Sequence, residues 1–397
     1  MRILLITRRR NERGATAAIV GLLAIGLFVL SGFTVDFGQA FMAKRNLQKA
    51  ADAGALAAAQ VLSRAEGTCE EIASGSEAEQ ARDDAAEAAD DYRAANRESY
   101  LPESSPIEWT IECNDDDTAV VVSYGVQGTS PSQFGPLAGS GDTITTDRRA
   151  QAVVEVAPFA GTAMRPLAVC STQLTAGPYV RLDYPTDAPP ACGNAAGAWW
   201  TVDCPGNPSN STAVMVQQVR DGCPRGASVV EGQSSTDPTN TLTAACQTTA
   251  PDGTCLESNP GNLDSGQVAA SWKHLVDEQI GFIFPVFCAP PQCATSTIDG
   301  EGNNATFPVY KLLGAVLCGY HFSKKDDERY APRTAGSECE DMPTDMWTAA
   351  EWDSNSANFL IIKYANVSTS GSNQPTECAL GSTDGCDGGA RRTRLTE

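Results

Sequence analysis

The sequence predicts an α+β chain in three parts. A long N-terminal helix able to cross a membrane comes first, then a shorter helix with a small antiparallel sheet, then a disulfide-rich β and loop domain. Three observations predict it. No charged residue falls in residues 14–35, a run that opens on Gly14 and closes on Val35. Beyond Pro102 the apolar spacing changes from three-and-four to two. All 14 cysteines lie at or after Cys69, on one side of the apolar run.

The run counts 22 positions. At ~1.5 Å of rise per residue it makes a helix about 33 Å long, enough for the hydrocarbon core of a bilayer. Arg2, Arg8, Arg9, Arg10 and Arg13 precede it against the single acid Glu12. That imbalance predicts a cytoplasmic N-terminus and an extracytoplasmic remainder. The cysteines agree, because disulfides persist in oxidising compartments. A cleavable signal peptide has an apolar core of about 7–15 residues and an A-x-A-like site. This core is longer, and the alanine run at 57–59 lies too far downstream. The expectation is a permanent single-pass anchor in the cell membrane. Ile19 sits within it, and Gly21, Gly26 and Gly32 leave self-association open, although their spacing forms no GxxxG.

Helical order should continue past the membrane. Leu47, Ala50, Ala51, Gly54, Ala55, Ala58, Val61 and Leu62 recur at three and four, and no proline interrupts, so the helix is expected from about Gly14 to Ser63. The small residues of this stripe permit close packing against the domain that follows.

Three parts of this stretch carry a family resemblance. They are Glu12-Arg13-Gly14 before the apolar run, Val35-Asp36-Phe37-Gly38 after it, and Leu47-Gln48-Lys49-Ala50-Ala51-Asp52-Ala53-Gly54-Ala55-Leu56-Ala57. Together they resemble the N-terminal Tad segment of TadG/TadE-like Flp pilus-assembly proteins. The resemblance implies a membrane-tethered extracytoplasmic protein of a tight-adherence pilus system, working beside other Tad/Flp assembly proteins. It also bears on processing. Pilin-type leaders are cut after a glycine and leave glutamate at the fifth mature position, but a cut after Gly14 would put Ile19 there. The sequence therefore resembles the uncleaved, TadG-like branch.

Residues 66–103 carry 12 acids against three arginines, with alanines at helical spacing between them. This reads as a second amphipathic helix with a solvated acidic face. "IEWTIEC" and "TAVVVSYGVQ" follow as strands joined by the turn "NDDD", and "TITTDRRAQAVVEV" gives a third. A long helix, a short helix and a small sheet make a pilin-like plan. Cys69 and Cys113, the two cysteines before residue 150, are natural partners. Phe134-Gly135-Pro136-Leu137 is similar to a segment common before the last strand in TadG-like relatives. Ten cysteines follow in residues 159–363, with pairings that sequence alone does not choose. The core-forming stretches there are 164–170, 279–288, 307–322 and 358–367. Cys378 and Cys386 are candidates for a local loop in a Gly/Ser/Thr-rich tail. The expected organisation is a basic cytoplasmic tail (1–13), the transmembrane helix (14–35), a pilin-like domain (36–158), a disulfide-rich extracytoplasmic β domain (159–367) and a flexible tail (368–397).

No catalytic, cofactor or metal set emerges. The formal charge of −21 argues against nucleic acid as a partner. Only His274 and His321 are available as bases, and no GxSxG elbow is present. Cys318-Gly-Tyr-His321 is a lone CxxH without a second pair. In "DGEGNN", Asp299, Glu301 and Asn303 alternate like calcium ligands, but glycine is missing at the sixth position and Tyr310 stands at the twelfth. The DxSxS metal site of the von Willebrand module found in some TadG proteins is absent as well. A structural, non-enzymatic component of a Flp-type pilus or its secretion machinery is the leading expectation. The alternatives are an adhesin binding through Trp199-Trp200 or Trp347 and Trp352, a processed minor pilin, and a secreted enzyme that borrows the anchor.

Overall fold

The structure, a computed structural model, describes residues 13–96, 104–138, 141–174, 177–184, 199–209, 211–229, 246, 254–259, 265–287, 305–323, 325–369, 378–382 and 386–396. Cys192, Cys288, Cys293 and the loop 299–304 lie outside them. The chain divides into two compact units. One holds Met1–Ala55, Ala89–Trp109 and Ser123–Gln151, the other Leu56–Ala88, Thr110–Val122 and Ala152–Glu397.

Helix α1 (Arg13–Leu62) runs for 50 residues without a break, as its proline-free, alanine-rich sequence requires. The acidic segment does not form one helix. It gives α2 (Cys69–Ser74), a 3₁₀ turn (Ser76–Ala78) and α3 (Glu79–Ala95). The break falls at Gly75, whose extended backbone (φ −67°, ψ 148°) ends α2. Thr68 opens α2 with a capping box, its side chain accepting from the Glu71 amide while the Glu71 carboxylate accepts from the Thr68 amide. Strands β1 (Ser104–Cys113), β2 (Val120–Pro131) and β3 (Thr143–Val156) follow the period-two pattern.

In the first unit, the part of α1 after the apolar run buries Ala43, Leu47, Ala50, Ala51 and Ala55. Tyr124 of β2 is also buried there, with its ring edge-on to Trp109 at 6.1 Å.

The second unit takes the end of α1, α2, the turn between β1 and β2, and everything from Ala152 onwards. The Asn114 side chain closes the "NDDD" turn by accepting from the Thr118 and Ala119 amides. Cys69 and Cys113 form a disulfide that ties α2 to the end of β1. The main sheet of this unit contains β4 (Leu167–Cys170), β5 (Tyr179–Asp183), β6 (Trp199–Thr201), β8 (Gly281–Phe287), β10 (Lys311–His321), β11 (Arg329–Tyr330) and β12 (Phe359–Tyr364). A separate antiparallel pair joins β7 (Cys255–Glu257) to β9 (Thr306–Pro308). The main order is β5-β12-β10-β8-β4-β6, with β11 added to β10. Strand β10 is buried along nearly its whole length because it is central, paired antiparallel with β12 and β8. Two helices, α4 (Thr212–Asp221) and α5 (Gly266–Asp277), share one core with the sheet. Met215, Val219, Trp272, Leu275 and Val276 pack there with Phe282, Phe284, Leu313, Ala315 and Leu317.

A bulge between Leu317 and Gly319 shifts the register of β10 against β12. Beyond it the faces exchange parity, so Tyr320 joins the core of Leu313, Ala315 and Leu317. His321 instead stacks on Phe359 at 5.1 Å, beside the smaller cluster of Val316, Cys318, Met342 and Ile361.

The C-terminal segment departs from expectation. Residues 368–397 read as a flexible tail, yet they contain β14 (Ala390–Thr396), which pairs parallel with β13 (Val367–Ser368). These strands complete a five-stranded sheet of order β1-β2-β3-β14-β13. The physical reason is a buried ion group. Glu155 of β3 accepts from Arg392 at 2.8 Å and from Arg394 at 2.7 Å, so arginines that look solvated in sequence have a partner inside.

Near the edge of the main sheet, Glu351 caps the short helix α6 (Ala349–Trp352) and accepts from Arg181 at 2.8 Å. The Arg181 hydrogen bond, helped by the Thr348 amide, holds its carboxyl down to about 2. A carboxylate depressed in the folded state adds stability that is present above its unfolded value, about 4.5, and lost as pH falls through about 2. Glu351→Gln is therefore expected to be less stable than the parent at pH 6, with the gap closing between pH 4.5 and pH 2. Denaturant midpoints across that range check it, and a gap independent of pH would remove the assignment.

Candidate functional site

Among the described residues, α1 is the one helix long and apolar enough to cross a membrane. Its apolar half is bare. Ile19, Leu22, Leu23, Ile25, Leu27, Phe28, Val29, Leu30, Phe33 and Val35 are all exposed. Arg13 opens the helix and Gly14 follows within it. A Cβ at Gly21 or Gly26 would meet no atom within 4 Å. Gly32 is different. A Cβ there would lie 2.5 Å from the Phe134 ring, so this glycine is a seat for the chain's own phenylalanine and is not open to a second helix.

One turn later Asp36 is 6% exposed and saturated with donors. Its Oδ2 accepts from Ser132 Oγ at 2.7 Å, the Phe134 amide at 2.9 Å and the Gly135 amide at 3.1 Å, while Oδ1 accepts from the Gln133 amide at 2.8 Å. A carboxylate at this position converts three consecutive amides of a turn into charge-assisted hydrogen bonds. It fixes the loop 132–135 against the helix where the apolar run ends. The Phe134-Gly135 segment thus contributes a ring to Gly32 and two amides to Asp36. Asp36→Ala is expected to free this loop, with hydrogen exchange of the Gln133, Phe134 and Gly135 amides rising towards that of open chain. Asp36→Asn, which retains an acceptor oxygen, should keep part of the protection. Unchanged exchange in the alanine variant would show that the cradle does not hold the loop.

The third motif lies two to five turns further on. Gly38 faces open space. Leu47 is buried and rests against Gly128 of β2, where a Cβ would lie 3.0 Å from its methyl carbon. Ala50, Ala51 and Ala55 are almost fully buried. Asp52 accepts from Gln48, whose amide also donates to the Arg149 carbonyl of β3. Gly54 admits the Tyr124 ring: a Cβ would sit 2.5 Å from a ring carbon and 3.0 Å from the Ala89 carbonyl oxygen. The Tyr124 hydroxyl then donates to Asp90 at 2.6 Å. Burial and that hydrogen bond together push the phenol well above its ordinary range.

The sequence signal for the Asp36 cradle was a lone acid at the end of a long apolar helix. Its donors lie nearly a hundred residues away, and the resemblance that marked Phe134-Gly135 gave no sign that they meet Asp36. Gly54 stood in the small-residue stripe, and its role in seating Tyr124 became visible only in the packing.

The other residues of interest serve the fold. Cys378 and Cys386 form a local disulfide, and Cys318 is bonded to Cys339. Further disulfides join Cys204 to Cys223 and Cys246 to Cys255. His321 is fully buried with ring nitrogens 2.6 Å and 2.9 Å from the Ala357 and Trp352 carbonyl oxygens. His274 stands half-buried in the last turn of α5. Trp347 and Trp352 are half-buried and stack at 4.9 Å, with Arg333 over the first and Arg329 over the second. Their faces are engaged by residues of this chain. The side chains of Trp199 and Trp200 lie outside the described set. Among the described residues no group of three or more His, Cys, Asp or Glu is arranged to hold a metal ion.

Residues 14–61 match the Tad family model, described as putative Flp pilus-assembly TadE/G-like. The match therefore covers most of α1, including both the bare apolar half and the packed half. No curated protein and no solved structure matches the chain.

Proposed function

We propose that this chain is a membrane-anchored, extracytoplasmic structural component of a Flp/Tad-type pilus or of its secretion machinery, and that it works without catalysis. The observation that carries the reading is the coincidence of the Tad match with a single helix of two characters. Residues 17–35 are uncharged and, apart from Gly32, exposed, as a helix awaiting lipid would be, and Asp36 marks where the folded domain takes hold. The arginines before the helix favour a cytoplasmic N-terminus. Disulfides confined to the other side favour an oxidising exterior. On this reading the partners are the bilayer and other Tad/Flp assembly proteins, the anchor is permanent, and Gly21 and Gly26 are the glycines free for self-association.

Deletion and complementation test it. Cells lacking the chain should lose surface pili. The full chain should restore them and remain in the carbonate-washed membrane with its N-terminus uncut. A chain without residues 1–35 but directed to the exterior should not restore them. Normal piliation in the deletion strain would overturn the pilus role. A mature form starting at Ala15 would make it a processed pilin.

A further inference from the structure

The charge pattern alone ends the apolar run at Val35, but the surface of α1 places the boundary elsewhere. Asp36, the first acid after the run, presents almost none of its surface, and both its carboxylate oxygens are engaged by the loop 132–135. The exposed residues beyond it remain apolar: Phe37 is 76% exposed, Phe41 62% and Met42 57%. Phe33, Phe37 and Phe41 recur every four residues and so share one face. The hydroxyls of Ser31 and Thr34 donate to the Leu27 and Leu30 carbonyls of their own helix and ask nothing of the surroundings. Between Ala17 and Met42 no exposed side chain carries a charge, and the first exposed charges after the run are Lys44 and Arg45.

Residues 14–43 span about 45 Å of helix at ~1.5 Å each, which is the hydrocarbon core plus the headgroup layers and well beyond the core alone. We infer that the membrane-facing surface of this protein extends to Met42. Phe33, Phe37, Phe41 and Met42 form a belt embedded in the outer interfacial layer of the bilayer, and Lys44 and Arg45 mark its upper edge. The inference rests on the membrane-anchor reading and changes what lies at the surface. Asp36 and its loop sit at headgroup depth, and the domain is seated on the lipid with no free stalk between. The occupant of the phenylalanine face is lipid. The face continues the apolar run without a gap, its total length fits the full bilayer, and two cations stand at its rim, where their long stems reach headgroup phosphates.

Thiol labelling of the full chain in lipid nanodiscs of phosphatidylethanolamine and phosphatidylglycerol tests this, with both leaflets open to reagent. No described cysteine has a free thiol. A water-soluble maleimide therefore reads only the cysteine introduced in Phe37→Cys, Phe41→Cys or Lys44→Cys, with the parent chain as background. These positions are exposed, so the fold does not depend on them. At one chain per disc, Phe37→Cys and Phe41→Cys should label on the order of tenfold more slowly than Lys44→Cys, because the thiolate that reacts is disfavoured away from water. Equal rates at all three positions would overturn the inference and leave the anchor intact. Protection seen only with two chains per disc would also overturn it and assign the face to a second copy. A chain that fails to enter discs at all would overturn the anchor reading itself.

Discussion

Replacing Glu155 with alanine is expected to cost about 3–5 kcal/mol, the scale for removing one partner of a buried ion pair. Its side chain is 8% exposed, and that of Arg392 is 4% exposed, so the guanidinium that loses this carboxylate stays largely shielded from water. Arg394 is about half exposed and can turn outwards, which makes Arg392 the source of most of the cost. Urea unfolding of the detergent-solubilised chain, followed by circular dichroism, measures it. Two companions separate charge from shape. Arg394→Ala should change little. Glu155→Leu with Arg392→Leu should recover much of the loss, since a packed apolar pair of similar volume often equals a buried ion pair. A Glu155→Ala variant within about 1 kcal/mol of the parent, the range of an exposed pair, would show that this group is solvated.

Removing the Cys69–Cys113 disulfide by a double serine substitution is expected to cost about 2–4 kcal/mol. The bond closes a segment of sequence separation 44, whereas Cys378–Cys386 closes one of only 8. If stabilisation comes from restricting the unfolded chain, the first should outweigh the second by about 1.5 kcal/mol. Comparing the two double variants by thermal and denaturant unfolding tests the ranking. A larger loss from the shorter loop would mean that native contacts at Cys378 and Cys386, and not loop entropy, decide the outcome.

Much of the fold was legible because it is written locally. Helix α1 was expected from Gly14 to Ser63 and runs from Arg13 to Leu62, since neither proline nor a glycine pair interrupts its stripe. The strands before residue 160 showed their alternation and their turn. The acidic segment looked like a single helix because alanine spacing hides the stop at Gly75. What escaped notice depends on distant partners. The β10 bulge alters which residues face the main core, yet nothing in "LLGAVLCGYHF" marks where the parity changes. Arg392 and Arg394 fell in a segment read as a flexible tail because their partner Glu155 lies more than two hundred positions earlier. Asp36 and the Phe134-Gly135 segment were each picked out by resemblance. That one holds the other emerged only from the distances between them.

Strand β14 has a consequence for how the protein is made. Its neighbour β3 ends at Val156, and β14 begins at Ala390. A chain made from its N-terminus leaves the hydrogen-bonding edge of β3 open throughout translation of the intervening segment. Such late, long-range pairing folds slowly, and an open strand edge is a template for aggregation. Completion of this sheet therefore waits until β14 has been made. A ribosome that stops short of Ala390 releases a polypeptide with a complete α1 and an unfinished sheet, a substrate for proteases.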